Sequence, residues 1–307
     1  MILTMSLALF DLPDTSLPTA STAGVPPFKT QLLKWVGNKQ RFAHEIADFF
    51  PQMDDSQTYF EPFLGSAAVL GTLRPQRAVG SDVFLPLVQI WQGVSTDPAL
   101  VESWYEERWN QVNEAEDKRA AYEAIKASYN ANPNGADLLF LSRACYGGVV
   151  RFRKRDGYMS TPMGAHAPIS PESFAKRVEL WSERTRGTTF VHRDYRVAFE
   201  EAKSGDVIYC DPPYTHSQSI LYGAQSFSLV ELMESIAEAK ARGVFVALSI
   251  DGKKTTDAAD LLTLPIPDGL FEREELVNVG RSMLKRFQMG GETLENHVVA
   301  DRLLLTY

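Results

Sequence analysis

The chain has 307 residues, 44% of them hydrophobic and 11% aromatic, which suits one large or two modest globular domains. A formal net charge of -8 counts against a generic nucleic-acid coat protein and leaves room for a DNA enzyme only where positive charge gathers locally. Cys145 and Cys210 lie far apart, with no sign of a disulfide framework or zinc site, and no apolar run reaches membrane-spanning length, so a cytoplasmic protein is expected.

Residues 1–28 read as a flexible tail. Ile2 to Phe10 is apolar, but no Lys or Arg precedes Lys29, so the charged start of a signal peptide is missing. Asp11 to Pro27 is rich in Pro, Ser and Thr. A first α/β block occupies residues 29–90. Gln31 to Val36 leads through Gly37-Asn38-Lys39 into a predicted helix, Gln40 to Phe50, with Phe42, Ile46, Phe49 and Phe50 at helical spacing. Thr58 to Phe63 reads as a strand with Glu61 near its end, and Gly65 to Leu70 as a small-residue turn into a helix. Arg77 to Asp82 is a second short strand ending in an acid. A strand, a small-residue turn and a helix let a ligand approach the backbone and the helix amino terminus. Asp82 falls roughly twenty residues past the turn, where such folds place the acid that accepts ribose hydroxyls. Gly-x-Ala alone also fits a helix-packing turn or a nicotinamide enzyme. The acid-ended strand at Glu61-Pro62-Phe63 separates these, because a dehydrogenase turn does not need it.

Residues 91–187 change character to polar helices and tryptophans and read as an inserted, mostly helical domain. Glu102, Glu106, Glu107, Glu114, Glu116 and Asp117 mark an exposed helix face. Between Ser142 and Arg155 lie Arg143, Arg151, Arg153, Lys154 and Arg155, with no acid among them. Gly147-Gly148 precedes this cluster and Asp156-Gly157 follows, a turn signal, so a hairpin or loop whose tip presents arginines is expected. Such a tip either contacts phosphates and bases or is an ordinary solvated face.

The α/β pattern resumes over residues 188–307 with Thr188 to Asp194, the apolar run Asp206 to Cys210, a helix Leu229 to Ala241, a strand Val244 to Ile250 and the closing stretch Val298 to Tyr307. Residues 29–90 and 188–307 thus make one doubly wound, Rossmann-like α/β sheet. The most informative tetrapeptide is Asp211-Pro212-Pro213-Tyr214. Two prolines cannot continue the preceding strand, so the acid sits at a strand's carboxyl end, where open α/β sheets bind ligands. Asp211 Oδ and the Pro212 carbonyl form a rigid pair of acceptors beside the flat Tyr214 ring. An exocyclic amine on a planar base fits that cup. Its lone pair is delocalised into the ring, and acceptors on its hydrogens favour a more pyramidal, more nucleophilic nitrogen. The plain alternative is a strand followed by a Pro-Pro turn. His44, His166, His192, His216 and His297 lack metal-ligand spacing, no Gly-x-Ser-x-Gly elbow surrounds Ser217 or Ser219, and no metal is expected.

Lys34-Trp35-Val36-Gly37-Asn38-Lys39, Phe60-Glu61-Pro62-Phe63-Leu64-Gly65 and Asp211-Pro212-Pro213-Tyr214 together resemble the Dam-type, alpha-group DNA adenine-N6 methyltransferases. The likeness spans about Leu32 to Tyr307 and includes Phe140 to Arg151, similar to that family's DNA-reading hairpin, and Pro162-Met163-Gly164. The resemblance implies an S-adenosylmethionine site at Lys34, Trp35, Lys39, Glu61, Phe63 and Gly65, with Asp82 on the ribose and Asp194-Tyr195 beside the cofactor adenine. It implies catalysis at Asp211, Pro212, Pro213 and Tyr214, and DNA contacts at Tyr146, Arg151, Arg153, Lys154, Arg155, Pro162 and Tyr222. Asn38 and Ala67 replace usual glycines. Gly147 and Ser160 stand where asparagine is common, so the family's target sequence does not carry over. The implied reaction is methylation of adenine N6 in double-stranded DNA, with the base taken out of the stack at a cost of a few kcal/mol. A cognate restriction endonuclease stays open as a partner. The rival readings are methylation of cytosine N4 or RNA adenine, and a DNA-binding protein that keeps the fold without transfer.

Overall fold

Strands β1 (Tyr59–Glu61), β4 (Val207–Cys210) and β5 (Phe245–Ile250) are buried at every residue, as expected of parallel strands covered on both faces. They belong to a seven-stranded sheet of order β3-β2-β1-β4-β5-β7-β6, seen in a computed structural model that describes residues 24–213, 227–250, 266–278 and 300–307. β2 (Ala78–Asp82) and β3 (Thr188–His192) lie parallel outside β1, with Phe60 opposite Val79 and Gly80 opposite Phe190. The chain then returns to the other side of β1, where Phe60 also faces Ile208 of β4. The strand order reverses between β1 and β4, and that reversal opens a crevice at their carboxyl ends.

The last two strands run antiparallel to each other, and β7 (Ala300–Leu305) is antiparallel to β5, with Leu248 opposite Leu304. β6 (Arg273–Asn278) is a strand that the sequence pattern did not reveal. It carries Arg273, Glu274 and Glu275 and exposes Leu276, the charged composition of an edge strand. A two-pronged ion pair from Arg302 of β7 to the Glu274 carboxylate, at 2.6 and 2.7 Å, pins it.

Helix α1 is only Ala43–Ala47, shorter than the expected Gln40 to Phe50. Phe42 has a non-helical backbone, and Pro51 disfavours helix in the residue before it. Helix α2 (Ala68–Leu73) is entered through Ala67 at φ 53°, in the left-handed region where a side chain costs about 1–2 kcal/mol and glycine is usual. The segment between β2 and β3 holds α3 (Leu85–Thr96), α4 (Pro98–Asn113), α5 (Lys118–Ala131), α6 (Gly135–Ala144) and α7 (Pro171–Arg184). Side chains of Asp97, Asp117, Asn134 and Ser170 cap the last four at their amino ends. One apolar cluster runs from Tyr59, Val207 and Tyr209 of the sheet through Trp91 of α3 and Trp181 of α7 into Tyr105, Tyr122 and Phe140. A second cluster on the opposite face joins Phe60, Ile208 and Leu248 to α8 (Tyr195–Glu201) and α9 (Leu229–Ala241). Helices therefore cover both faces of the sheet.

The end of the expected tail is held in the fold. Phe28 is buried beneath the Arg184 guanidinium, which lies 3.8 Å from its ring, and Val25 N–H donates to Asp48 at 2.6 Å.

Candidate active site

Two acids converge at the crevice because their strands are neighbours. Glu61 closes β1, and Asp211 directly follows β4. The Glu61 side chain is buried, and its Oε2 accepts from the Tyr59 hydroxyl at 2.7 Å and from Leu70 N–H at 2.9 Å. That N–H lies in the first turn of α2, where no helical carbonyl can receive it. Burial pushes the Glu61 carboxyl up to about 8; the two hydrogen bonds pull it down, and the nearby Asp211 adds to the rise.

Asp211 begins the Pro-Pro corner, and Pro212 is buried. Lys39, brought in from the segment before α1, places its Nζ 2.9 Å from Asp211 Oδ1, with the two side chains 12% and 19% exposed. Asp82, at the end of β2, has a structural duty. Its Oδ2 accepts from Gly65 N–H at 3.2 Å and its Oδ1 from Phe84 N–H at 3.0 Å, tying the turn after β1 to the start of α3. Burial raises its pKa, opposed by the N–H groups of Phe84, Gly65 and Val83. Trp91 Nε1 donates to the Gly65 carbonyl at 3.0 Å and fixes the same turn from the other side.

Aromatic rings line the walls. Phe63 stacks on Tyr195 at 5.2 Å, with Phe227 edge-on to Phe63 at 5.8 Å. Trp35 stacks on Phe84 at 6.1 Å, and Phe152 meets Phe84 edge-on at 5.6 Å. The cleft measures about 1000 Å³. It brings together Trp35, Lys39, Glu61, Phe63, Gly65, Asp82, Asp194 and Tyr195 with Asp211, Pro212 and Pro213, and adds Arg153 and Lys154. Lys34 is not among its walls; it is exposed and packs against Gly148. Tyr214, Tyr222, His216 and His297 lie outside the described residues. Phe84, Phe152, Tyr158 and Phe227 were missed as wall residues. Two of them had a signal: Phe84 follows the acid-ended strand β2, and Phe152 alternates with Arg151 and Arg153.

The basic segment is a hairpin. Ser160 N–H donates to the Arg151 carbonyl and Arg153 N–H to the Tyr158 carbonyl, both at 2.9 Å, around an antiparallel bridge between Phe152 and Met159. Asn130 of α5 grips Met159 through both backbone groups. Asp156 pairs with Arg153 at 3.1 Å and with Arg155 at 3.2 Å, so the turn acid offsets part of the charge at the tip. Arg153 also lies over the Tyr158 ring at 4.0 Å. Arg151 and Lys154 are exposed, and so are Tyr146 and Pro162, which share a backbone hydrogen bond of 2.8 Å. Arg143, grouped with this cluster on sequence, is instead buried. Its Nη1 donates to the Leu32 carbonyl at 2.6 Å, and it is a clamp rather than a DNA contact.

Among the described residues no group of His, Cys, Asp and Glu could hold a metal ion, and no helix is long and apolar enough to cross a membrane.

A sheet of this order, with its antiparallel edge and its acids at the switch point, is that of a Rossmann-like methyltransferase. Residues 35–256 match the model of the D12 class N6 adenine-specific DNA methyltransferases, and the chain belongs to that family. It is an adenine-N6 DNA methyltransferase, an enzyme class that uses S-adenosylmethionine. Among its relatives, the DNA adenine methylase of Vibrio cholerae is 26% identical over 230 residues, covering 71% of this chain and 79% of that one. The retron Ec67 DNA adenine methylase of Escherichia coli is 27% identical over 190 residues, 60% and 63% of the two chains. The type II methyltransferase M1.LlaDCHI of Lactococcus lactis subsp. cremoris is 26% identical over 234 residues, 70% and 79%.

Proposed function

We propose that the cleft between β1 and β4 holds S-adenosylmethionine, and that an adenine drawn out of duplex DNA presents its N6 to Asp211. The observation that carries this reading is the junction of two acid-ended strands, the Pro-Pro corner and a basic hairpin around one cleft. The residues fit the group. The volume suits a nucleoside with room for a second base, the Gly65 turn lets a ligand reach backbone, and Phe63, Phe84 and Tyr195 offer apolar faces. Asp82 still has lone pairs for ribose hydroxyls beside the two N–H bonds it accepts. Bound there, the cofactor supplies a methyl group on a sulfonium.

Asp211 and the Pro212 carbonyl accept the amino hydrogens and turn the nitrogen lone pair toward the methyl. With the cofactor's methyl delivered to that nitrogen, Asp211 or water would take up the one amine proton released. Orientation supplies the acceleration. Unstacking the base costs a few kcal/mol, and stacking on Tyr214 returns about 1–3 kcal/mol. The hairpin from Arg151 to Ser160 reads and grips the DNA. The type II name of one relative supports a restriction-modification setting, in which a partner endonuclease would accompany the chain. Protection of the methylated DNA from an accompanying nuclease would mark that setting here.

The test is modified-base sequencing of duplex DNA treated with the chain and S-adenosylmethionine. N6-methyladenine within one motif is the expected result. Asp211→Ala should abolish transfer while cofactor affinity stays within a few-fold. Near-normal turnover in that variant would remove Asp211 from the chemistry.

A further inference from the structure

We infer that Lys39 is a positioning residue for methyl transfer: its ammonium orients the Asp211 carboxylate and keeps it an ionised acceptor in front of the substrate amine. This rests on the reading of Asp211 as that acceptor. The family resemblance implied a cofactor contact for Lys39, but its Nζ lies 2.9 Å from Asp211 Oδ1, a charge-assisted contact between two largely buried groups. A carboxylate carries about four lone-pair sites, so an ammonium contact and a substrate contact on one group are chemically compatible.

The need for a cation follows from the neighbourhood. Glu61 and Asp211 stand at the ends of adjacent strands, and two carboxylates in one partly desolvated site favour protonation of one of them. Glu61 resolves its own burial through Tyr59 and Leu70. Asp211 must stay ionised for its proposed role, because a protonated acid there would offer a hydrogen where the amine needs an acceptor. The other titratable groups at this strand end, Tyr59 of β1 and Cys210 of β4, are pushed upward by burial and are neutral at physiological pH. Tyr209 of β4, Asp82, Asp194 and Arg196 across the cleft, and Arg153, Lys154 and Asp156 of the hairpin are further charged and titratable groups lining it. Lys39 supplies the positive charge at contact distance.

The test uses the full chain with Lys39→Met, which keeps length and removes charge, and Lys39→Arg, which keeps charge. Single-turnover methylation of a duplex is followed from pH 5 to 9, and S-adenosylmethionine affinity is measured by calorimetry. Lys39→Met should slow transfer roughly 10- to 100-fold near neutrality and move the acid limb of the rate profile up by about one pH unit. Cofactor affinity should stay within threefold, and Lys39→Arg should restore part of the rate and return the limb. A tenfold or greater loss of cofactor affinity with an unmoved limb overturns the inference and makes Lys39 a cofactor ligand. A slower Lys39→Met enzyme with an unmoved limb and no rescue by Arg overturns it in favour of a packing role. Parent-like rates and limb in Lys39→Met overturn it outright while leaving adenine methylation intact. A parent chain that leaves adenine unmethylated removes the reading of Asp211, and this inference with it.

Discussion

Asp82 holds the fold, and on the proposed reading it would hold the ligand as well. It holds Gly65 and Phe84 through their N–H groups, so Asp82→Ala should cost stability as well as cofactor affinity. A loss of roughly 1.5–3 kcal/mol in S-adenosylmethionine binding is expected for a hydrogen bond to a charged group, and calorimetry on folded protein reads it. Unchanged binding would place the ribose elsewhere. Glu61 gives a pH prediction. Its carboxyl is raised from 4.5 to about 8, so the folded chain holds the proton more tightly than the unfolded chain. Between those two values the unfolded state releases the proton first, and stability falls as pH rises, by at most on the order of 1 kcal/mol per unit. Glu61→Gln mimics the neutral acid, so its stability relative to the parent should climb from pH 5 to 8 in urea titrations. Parallel curves would show that Glu61 is ionised in the fold. The three acids were legible because each ends a short apolar run. The pairing of Lys39 with Asp211 was not, since it depends on where the turn after Trp35 folds back over β4.

At the scale of elements, the fully buried strands β4 and β5 and the one-sided helix α9 fall where apolar spacing put them. β6 escaped because an edge strand has no need of an apolar run, and its charges mimic a loop. The substitution of Ala67 for a glycine was visible, but its left-handed backbone needed the structure. The hairpin was legible from its glycines and its Asp-Gly turn, whereas the pairing of Asp156 with Arg153 and Arg155 was not. That pairing bears on the proposed division of DNA contacts along the element. Arg151 lies at the hairpin's base, exposed, with its carbonyl and N–H already used within the hairpin. Its guanidinium can take two hydrogen bonds to guanine, worth about 1–3 kcal/mol of discrimination. Arg151→Ala should therefore leave one degenerate position in the methylated motif. Lys154→Ala should weaken all sites about equally and flatten the salt dependence of binding. An Arg151→Ala enzyme that is uniformly weaker but keeps its full motif would make Arg151 a phosphate contact.

At the scale of the whole molecule, composition suggested a sheet carrying a separate helical insert, yet the packing runs without a break between them. Trp181 of α7 is fully buried, lies 5.0 Å from Trp91 of α3, and donates its indole N–H to the Thr30 carbonyl at 3.1 Å. Gly71 of α2 has no room for a side chain because that same indole occupies the space. Arg143 and Arg177 clamp the Gln31 and Leu32 carbonyls, so the segment leading to Lys34 and Lys39 is anchored on helices of the insert. Tryptophans this central are invisible as such in a sequence, which shows their size but not which elements they join. Trp181→Ala should cost about 3–5 kcal/mol, the usual range for emptying a large buried aromatic site. The melting temperature should fall on the order of 10 °C. Because the indole touches α2, α3 and the segment at Thr30 at once, sheet and insert should still melt together, as one heat-absorption peak displaced to lower temperature. Scanning calorimetry decides the matter: two resolved peaks, with only one moved by the substitution, would mean that the insert unfolds as an independent domain and that Trp181 belongs to that domain alone.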